Sequence, residues 1–208
     1  MKILVIAEMR SRASLFMDML SSHLGIKNLE APYGILHNKA KDVEQWKKTI
    51  RSITNVIQRN ENFIAKIETT EMFLNGEYIG LECFSPEKYD VIYTIKRDNL
   101  ADTFCSLYIV NLLNKWQHKQ GEEVLELTPI SAYDTELLNL IRILKETYNT
   151  AIEYLNTHGL EYTELEYNDV INWLKKNNIN GTTNLVSPNY NFKTIFTNYT
   201  DIEKLCQR

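Results

Sequence analysis

The sequence predicts one α/β domain built around parallel strands, and two stretches and a composition carry that prediction. Residues 3–7, Ile-Leu-Val-Ile-Ala, form a continuous apolar run with the length and β-branched content of a strand buried on both faces. Residues 89–95, Tyr-Asp-Val-Ile-Tyr-Thr-Ile, repeat the pattern. Each run ends in a short polar segment, after which the apolar residues take up helical spacing: Leu15, Phe16, Met19 and Leu20 after the first, Leu100, Phe104, Leu107, Tyr108, Leu112 and Trp116 after the second. A chain of 208 residues, 44% hydrophobic and 24% charged, is enough for one sizeable core, so a single domain spanning residues 1–208 is expected.

Charge and cysteine usage exclude several functions. The net charge is −4 and no block of like charge exceeds pairs such as Lys47-Lys48, which argues against a nucleic-acid-binding surface. The apolar run after Lys2 is too short for a signal peptide or a membrane span, so a cytoplasmic protein without a membrane partner is expected. Cys83, Cys105 and Cys206 are scattered, with no C-x-x-C pair, as in a reducing compartment. The four histidines show no metal-ligand spacing, and no metal site is expected.

In chain order, a polar turn at 8–14 joins the first strand to a helix over 15–24, which Gly25 stops. Such a junction faces the amino end of a helix, where free N–H groups and the helix dipole favour anions, and Arg10, Ser11, Arg12 and Ser14 add cationic and hydroxyl donors. The G-x-x-x-x-G-K-[ST] nucleotide signature is absent, since no glycine precedes Gly25. Pro32 and Gly34 mark a loop. Val43, Trp46, Ile50, Ile53 and Ile57 predict an amphipathic helix over 41–60. Residues 63–67 read as a strand whose Lys66 either reaches the site or snorkels from the strand end, and Asn75-Gly76 as a hairpin turn. The second buried strand delivers Lys96 and Arg97 to a helix that Asp98 or Asn99 can cap. Arg97 there is either a second anion contact or an ordinary ion pair with Asp98 or Asp102. Residues 128–131 break the chain, a long helix runs from Asp134 to Gly159, residues 160–167 read as a strand, and 170–176 as a short helix.

Two of these stretches resemble a known family. Met9-Arg10-Ser11-Arg12-Ala13-Ser14-Leu15 resembles the Pro-Arg-Ser-Gly-Ser-Thr-Leu loop that binds the 5′-phosphosulfate in P-loop-like sulfotransferases. Arg10, Ser11 and Leu15 match directly and Ser14 stands at a hydroxyl position, while Met9 replaces proline and Arg12 replaces glycine. Either the loop is distorted at Arg12, or Arg12 has become a ligand. Residues 95–108 resemble the family's 3′-phosphate motif, an arginine at a strand end followed by a serine two helical turns on. Arg97 takes the first role. The family's usual spacing falls on Cys105, and Ser106 lies one residue beyond, where Ser-Leu-Tyr matches the family's continuation. Trp116 agrees with the branch resembling trehalose sulfotransferase.

The resemblance implies a three-layer α/β/α domain with a mostly parallel central sheet and P-loop-like topology. It implies transfer of a sulfuryl group from 3′-phosphoadenosine 5′-phosphosulfate (PAPS) to a hydroxyl of a carbohydrate or other small acceptor, without a metal. Arg10 would neutralise charge on the leaving phosphate oxygen, and Ser11, Ser14 and the loop amides, including those of Arg12 and Ala13, would hold the 5′-phosphate. Arg97 and Ser106 would hold the 3′-phosphate, and Glu30, with His37 behind it, would be the base. Lys193 in the tail would cover the donor. The alternatives are a P-loop-like small-molecule kinase or nucleotide hydrolase, or a non-catalytic nucleotide-binding domain on the same scaffold.

Overall fold

In the computed structural model the described residues are 1–30, 32–34, 40–113, 118–120, 127–186 and 190–207. His37 and Trp116 lie outside them.

The first apolar run is strand β1 (Lys2–Ala7), and both of its edges are taken by parallel neighbours. On one side stands β3 (Phe63–Glu68), with β2 (Lys27–Asn28) beyond it. On the other stands β6 (Val91–Lys96), then β8 (Thr163–Glu166). The five-stranded sheet thus runs β2-β3-β1-β6-β8, and every pairing in it is parallel. With β1 central, alternate side chains face opposite layers. Leu4 and Ile6 join Trp46 and Ile50 of α2 (Val43–Ile57) and Ala151 and Leu155 of α4 (Thr135–Thr157). Ile3, Val5 and Ala7 face Phe16, Met17 and Leu20 of α1 (Ala13–Leu24) and Val170 and Leu174 of α5 (Val170–Lys176). These faces make three layers, as the resemblance implied, with a sheet parallel throughout. A third apolar cluster joins α3 (Leu100–Leu113), α4 and α7 (Tyr199–Cys206).

Element ends follow local chemistry. Asp42 caps α2 by accepting from Gln45 N at 2.8 Å, which trims the helix expected over 41–60. Asp134 caps α4 in the same way through Leu137 N, and Gly25 ends α1 at φ +65°. The Asn75-Gly76 turn joins β4 (Phe73–Leu74) to β5 (Glu77–Tyr78), as its sequence predicts. A small antiparallel pair, β7 (His118–Lys119) and β9 (Leu185–Val186), lies apart from the main sheet. The strand expected over 160–167 is shorter, because β6 offers partners only from Thr163 to Glu166. In the tail, α6 (Phe192–Ile195) precedes α7, whose Tyr199 and Ile202 are buried. The sequence reading had not separated these two helices.

Glu71 sits in the 3₁₀ turn that follows β3, 3% exposed, and accepts from Glu68 N at 2.9 Å. Its backbone carbonyl accepts the Trp46 indole N–H at 2.9 Å. Burial pushes the Glu71 carboxyl up to about 8, against 4.5 in an open chain. The folded protein therefore keeps a proton that the unfolded chain has released. The stability this contributes is whole below pH 4.5 and is lost as pH rises to about 8, at about 1.4 kcal/mol per pH unit. Glu71→Gln, which imitates the neutral acid, is expected to flatten that slope in urea denaturation run across the window. An unchanged slope would assign the pH dependence elsewhere. Trp46→Ala is expected to cost about 3–5 kcal/mol in the same assay, since the ring is fully buried between layers.

Candidate functional site

The carboxyl ends of β1 and β6 are neighbours, and their loops meet. Past β1 the chain turns through Met9 to Arg12 and enters α1. Arg10 (φ +58°) and Arg12 (φ +66°) both occupy the left-handed region. Arg12 thus adopts the conformation that the glycine it replaces would take freely, at a cost of about 1–2 kcal/mol. Left-handed residues in such a turn point successive N–H groups into one concavity, a geometry suited to an anion. α1 starts at Ala13, two residues before the sequence spacing suggested, so Ser14 lies in its first turn. Among the described residues no side chain caps this helix end. Ser11, 1% exposed, has a hydroxyl without a hydrogen-bond partner among the described residues.

Arg97 emerges where β6 ends. Its Nη1 donates to the Arg10 carbonyl at 3.3 Å, its Nη2 stands 4.0 Å from Asp102, and its backbone N–H donates to Glu8 Oε2 at 2.7 Å. The Arg97–Asp102 pair, one of the two ordinary readings of Arg97, is therefore present, yet at a distance too long for a strong hydrogen bond. Arg10 Nε donates to Ser106 Oγ at 3.0 Å. Ser106 thus meets Arg10, and Cys105 packs fully buried in the cluster beneath α3. Asn99 caps α3, accepting from Asp102 N at 3.1 Å. Burial lowers the affinity of both Arg10 and Arg97 for their protons, and for Arg10 the neighbouring Arg97 charge adds to the effect. Two desolvated guanidiniums side by side favour any anion that enters between them.

Three further residues complete the arrangement, and of these sequence reasoning points only to Lys66, as a strand lysine able to reach the site. Tyr167 follows β8, held beside β6 by donating its N–H to Lys96 O at 2.8 Å. Its ring lies 3.9 Å from the Arg12 guanidinium carbon and 4.2 Å from that of Arg97. Arg12 Nη1 also donates to the Tyr167 carbonyl at 3.2 Å. Glu8 is buried and pairs with Lys145 at 2.8 Å; burial raises its pKa against the pull of Lys145 and the Arg97 N–H. Lys66, on β3, donates to Ser14 Oγ at 3.1 Å and pairs with Glu68. A lysine within an apolar strand was the available signal for Lys66. Tyr167 had none beyond its position next to a strand end.

Two expected residues lie outside the cluster. Glu30 is exposed on the turn past β2, two strands from β1, or about 10 Å at sheet spacing. What holds it is its backbone, whose carbonyl accepts from Lys66 N at 2.9 Å. Lys193 is exposed and lies 5.6 Å over the Tyr199 ring, whereas the tail residue that approaches Arg97 is Phe192, at 5.7 Å. Among the described residues no group of His, Cys, Asp and Glu is arranged to hold a metal ion, and no helix is long and apolar enough to cross a membrane.

No protein-family model matches the chain, and no curated protein does. Solved structures do resemble it in fold. The YorR protein of Bacillus subtilis, solved in complex with phosphorylated GDP, matches at TM-score 0.50 and 12% identity over 86% of this chain and 98% of that one. Shikimate kinase from Bacteroides thetaiotaomicron matches at TM-score 0.49 and 11% identity, covering 84% of this chain and 96% of its own. Shikimate kinase from Aquifex aeolicus matches at 0.43 and 14%, covering 87% and 100%. The architecture is a three-layer α/β/α P-loop fold.

Proposed function

We propose that this chain is a nucleotide-dependent transferase that grips a donor by its phosphates in loop 9–14 and passes a charged group to a small acceptor. The observation that carries this reading is the convergence of Arg10, Arg97 and Ser106 beside the uncapped start of α1. Phosphoryl transfer is the first form of the reaction. It is supported by the fold, which is shared with a protein solved in complex with phosphorylated GDP. Such transfer passes through a loose transition state with charge spread over the moving group, so aligned cations supply most of the rate. Arg10 is the cation on the loop itself. Ser11 has a hydroxyl to give, and the amides of Arg12, Ala13 and Ser14 supply the helix-end donors. Glu8 and Glu68 are committed to Lys145 and Lys66, and Asp102 accepts from the Tyr199 hydroxyl. Glu30 as the proton acceptor would require its turn, two strands from β1, to approach the loop.

A kinase of this fold implies a divalent ion held by the loop hydroxyl and a carboxylate on the neighbouring strand. The groups at those places are Ser14 and Glu68, and both already bind the Lys66 ammonium. The residues present do not fit the ion, and no step is derived through it.

A second reading, sulfuryl transfer from PAPS to a carbohydrate or other small hydroxyl acceptor, is favoured by one feature. Arg97 and Ser106 contact Arg10 from the β6 side of the loop, where a 3′-phosphate would select this donor over ATP. Lys193 over the donor belongs to this reading, and would require the side chain to leave Tyr199.

Calorimetric titration with 3′-phosphoadenosine 5′-phosphate, ATP, GDP and AMP tests both. Tighter binding of ATP or GDP supports phosphoryl transfer, and tighter binding of the 3′-phosphorylated nucleotide supports sulfuryl transfer. Binding of none overturns the proposal. In the reaction so identified, Arg10→Ala is expected to lower the rate by about 10²-fold or more with the fold intact by circular dichroism. Arg97→Ala is expected to weaken the 3′-phosphorylated nucleotide selectively only if the second reading holds.

A further inference from the structure

We infer that the Lys66 ammonium is a built-in cation of the phosphate site, seated where other P-loop proteins hold a divalent metal ion. The inference rests on the nucleotide reading above and goes beyond it by assigning a cation to the place of the signature lysine and metal ion that the loop lacks.

Three observations meet at this side chain. The first is spacing. When the hydroxyl of the G-x-x-x-x-G-K-[ST] signature is laid on Ser14, Ala13 falls at the lysine and Arg12 at the second glycine. The loop therefore keeps the hydroxyl that would hold magnesium and lacks the lysine that would reach the phosphates. The second is topology. β3 lies directly beside β1, and its last residue, Glu68, is in register with Ala7, the last residue of β1. Glu68 thus occupies the tip of the adjacent strand, from which a carboxylate can face the loop hydroxyl. The third is the contact itself. Lys66 Nζ donates to Ser14 Oγ at 3.1 Å and pairs with Glu68 Oε1, so one positive charge bridges the two groups that a metal would bridge.

The burial of Lys66 argues against an incidental placement. Its side chain is only 7% exposed, in a strand otherwise composed of Phe63, Ile64, Ala65, Ile67 and Glu68. An ammonium removed from water costs several kcal/mol unless it is paired, and one carboxylate on a flexible stem is modest compensation. An ammonium has three protons, and two are used among the described residues. The third can meet a phosphate oxygen arriving at Ser14 and the start of α1. A lysine on β3 rather than on the loop also suits the Arg12 position. The Cβ of a non-glycine residue keeps a phosphate from closing onto the backbone, and a long side chain from the next strand spans the added distance.

The test uses the full chain and calorimetric titration with ADP and with 3′-phosphoadenosine 5′-phosphate, in magnesium chloride and in EDTA. The expected result for the wild type is an affinity for 3′-phosphoadenosine 5′-phosphate that is equal in the two buffers, together with a loss of about tenfold or more in Lys66→Met. Lys66→Arg should retain part of the affinity. The melting temperature of each unliganded variant separates binding from folding: a merely structural lysine would lower it and leave the affinity of the folded protein unchanged, which overturns the inference. Lys66→Met with Glu68→Gln removes the unpaired carboxylate if the single variant does not fold. A wild-type affinity that falls about tenfold or more in EDTA would mean that a divalent ion takes this seat, overturning the inference while the nucleotide reading stands. A wild type that binds neither nucleotide in either buffer would overturn both.

Discussion

Arg97 reaches from the tip of β6 to the backbone carbonyl of Arg10, and that contact turns two separate strand ends into one site. It can form because β1 and β6 pair in parallel with Ala7 beside Ile95, so both chains leave the sheet at the same edge. A parallel sheet with a β1 in its middle brings successive strand–helix loops together, as the open α/β architecture does in general. The contact also confines charge. Arg97 is 6% exposed and its carboxylate neighbour is 4.0 Å away, so its positive charge is only partly answered within the protein. Stacking on Tyr167 and donation to a carbonyl hold the guanidinium in place without cancelling it.

What was legible in the sequence was what repeats with a period. β1, β6 and the stripes of α2 and α4 follow from apolar spacing, and their ends from Asp42, Asp134 and Gly25. The two strand–loop–helix units stand at adjacent strand tips, because parallel strands leave few other arrangements. The edge strand β2 is two residues long and carries no pattern of its own; only pairing with Phe63 and Ile64 makes it a strand. The start of α1 was read late because Arg12, a poor candidate for positive φ, takes the capping position there. Tyr167 and Glu8, which carry no sequence signal, and Lys66, which the sequence shows only as a strand lysine able to reach the site, all act across strands, and spacing along the chain does not encode which strand tips become neighbours.

Glu30 and Lys193 illustrate the converse. Both lie in the loops that a family pattern would place near a donor, and both are exposed with contacts leading elsewhere. Their positions follow from local facts that the pattern could not contain, namely the ladder between the Glu30 carbonyl and Lys66 N, and the anchoring of Tyr199 on Asp102 at 2.6 Å. The same Asp102 stands beside Arg97, so the tail is tied to the site through a tyrosine hydroxyl rather than through a lysine.

The composition of the loop sets how this corner can work. A glycine-rich loop binds phosphate mainly through its backbone, because hydrogen atoms in place of Cβ let the chain wrap closely. Here loop 9–14 has no glycine, and two of its residues hold positive φ with arginine side chains. A Cβ at each of these positions keeps an anion farther from the backbone, so in the proposed reading a larger share of the attraction comes from side chains that project from outside the loop. Arg97 from β6 and Lys66 from β3 project from the strands that flank β1 on either side. Placing charge on the flanking strands leaves the loop free to vary while the sheet fixes the distances. In the proposed function such a corner would exchange backbone wrapping for a rigid frame of cations, and its selectivity for one anionic group over another would lie in the spacing of β3, β1 and β6.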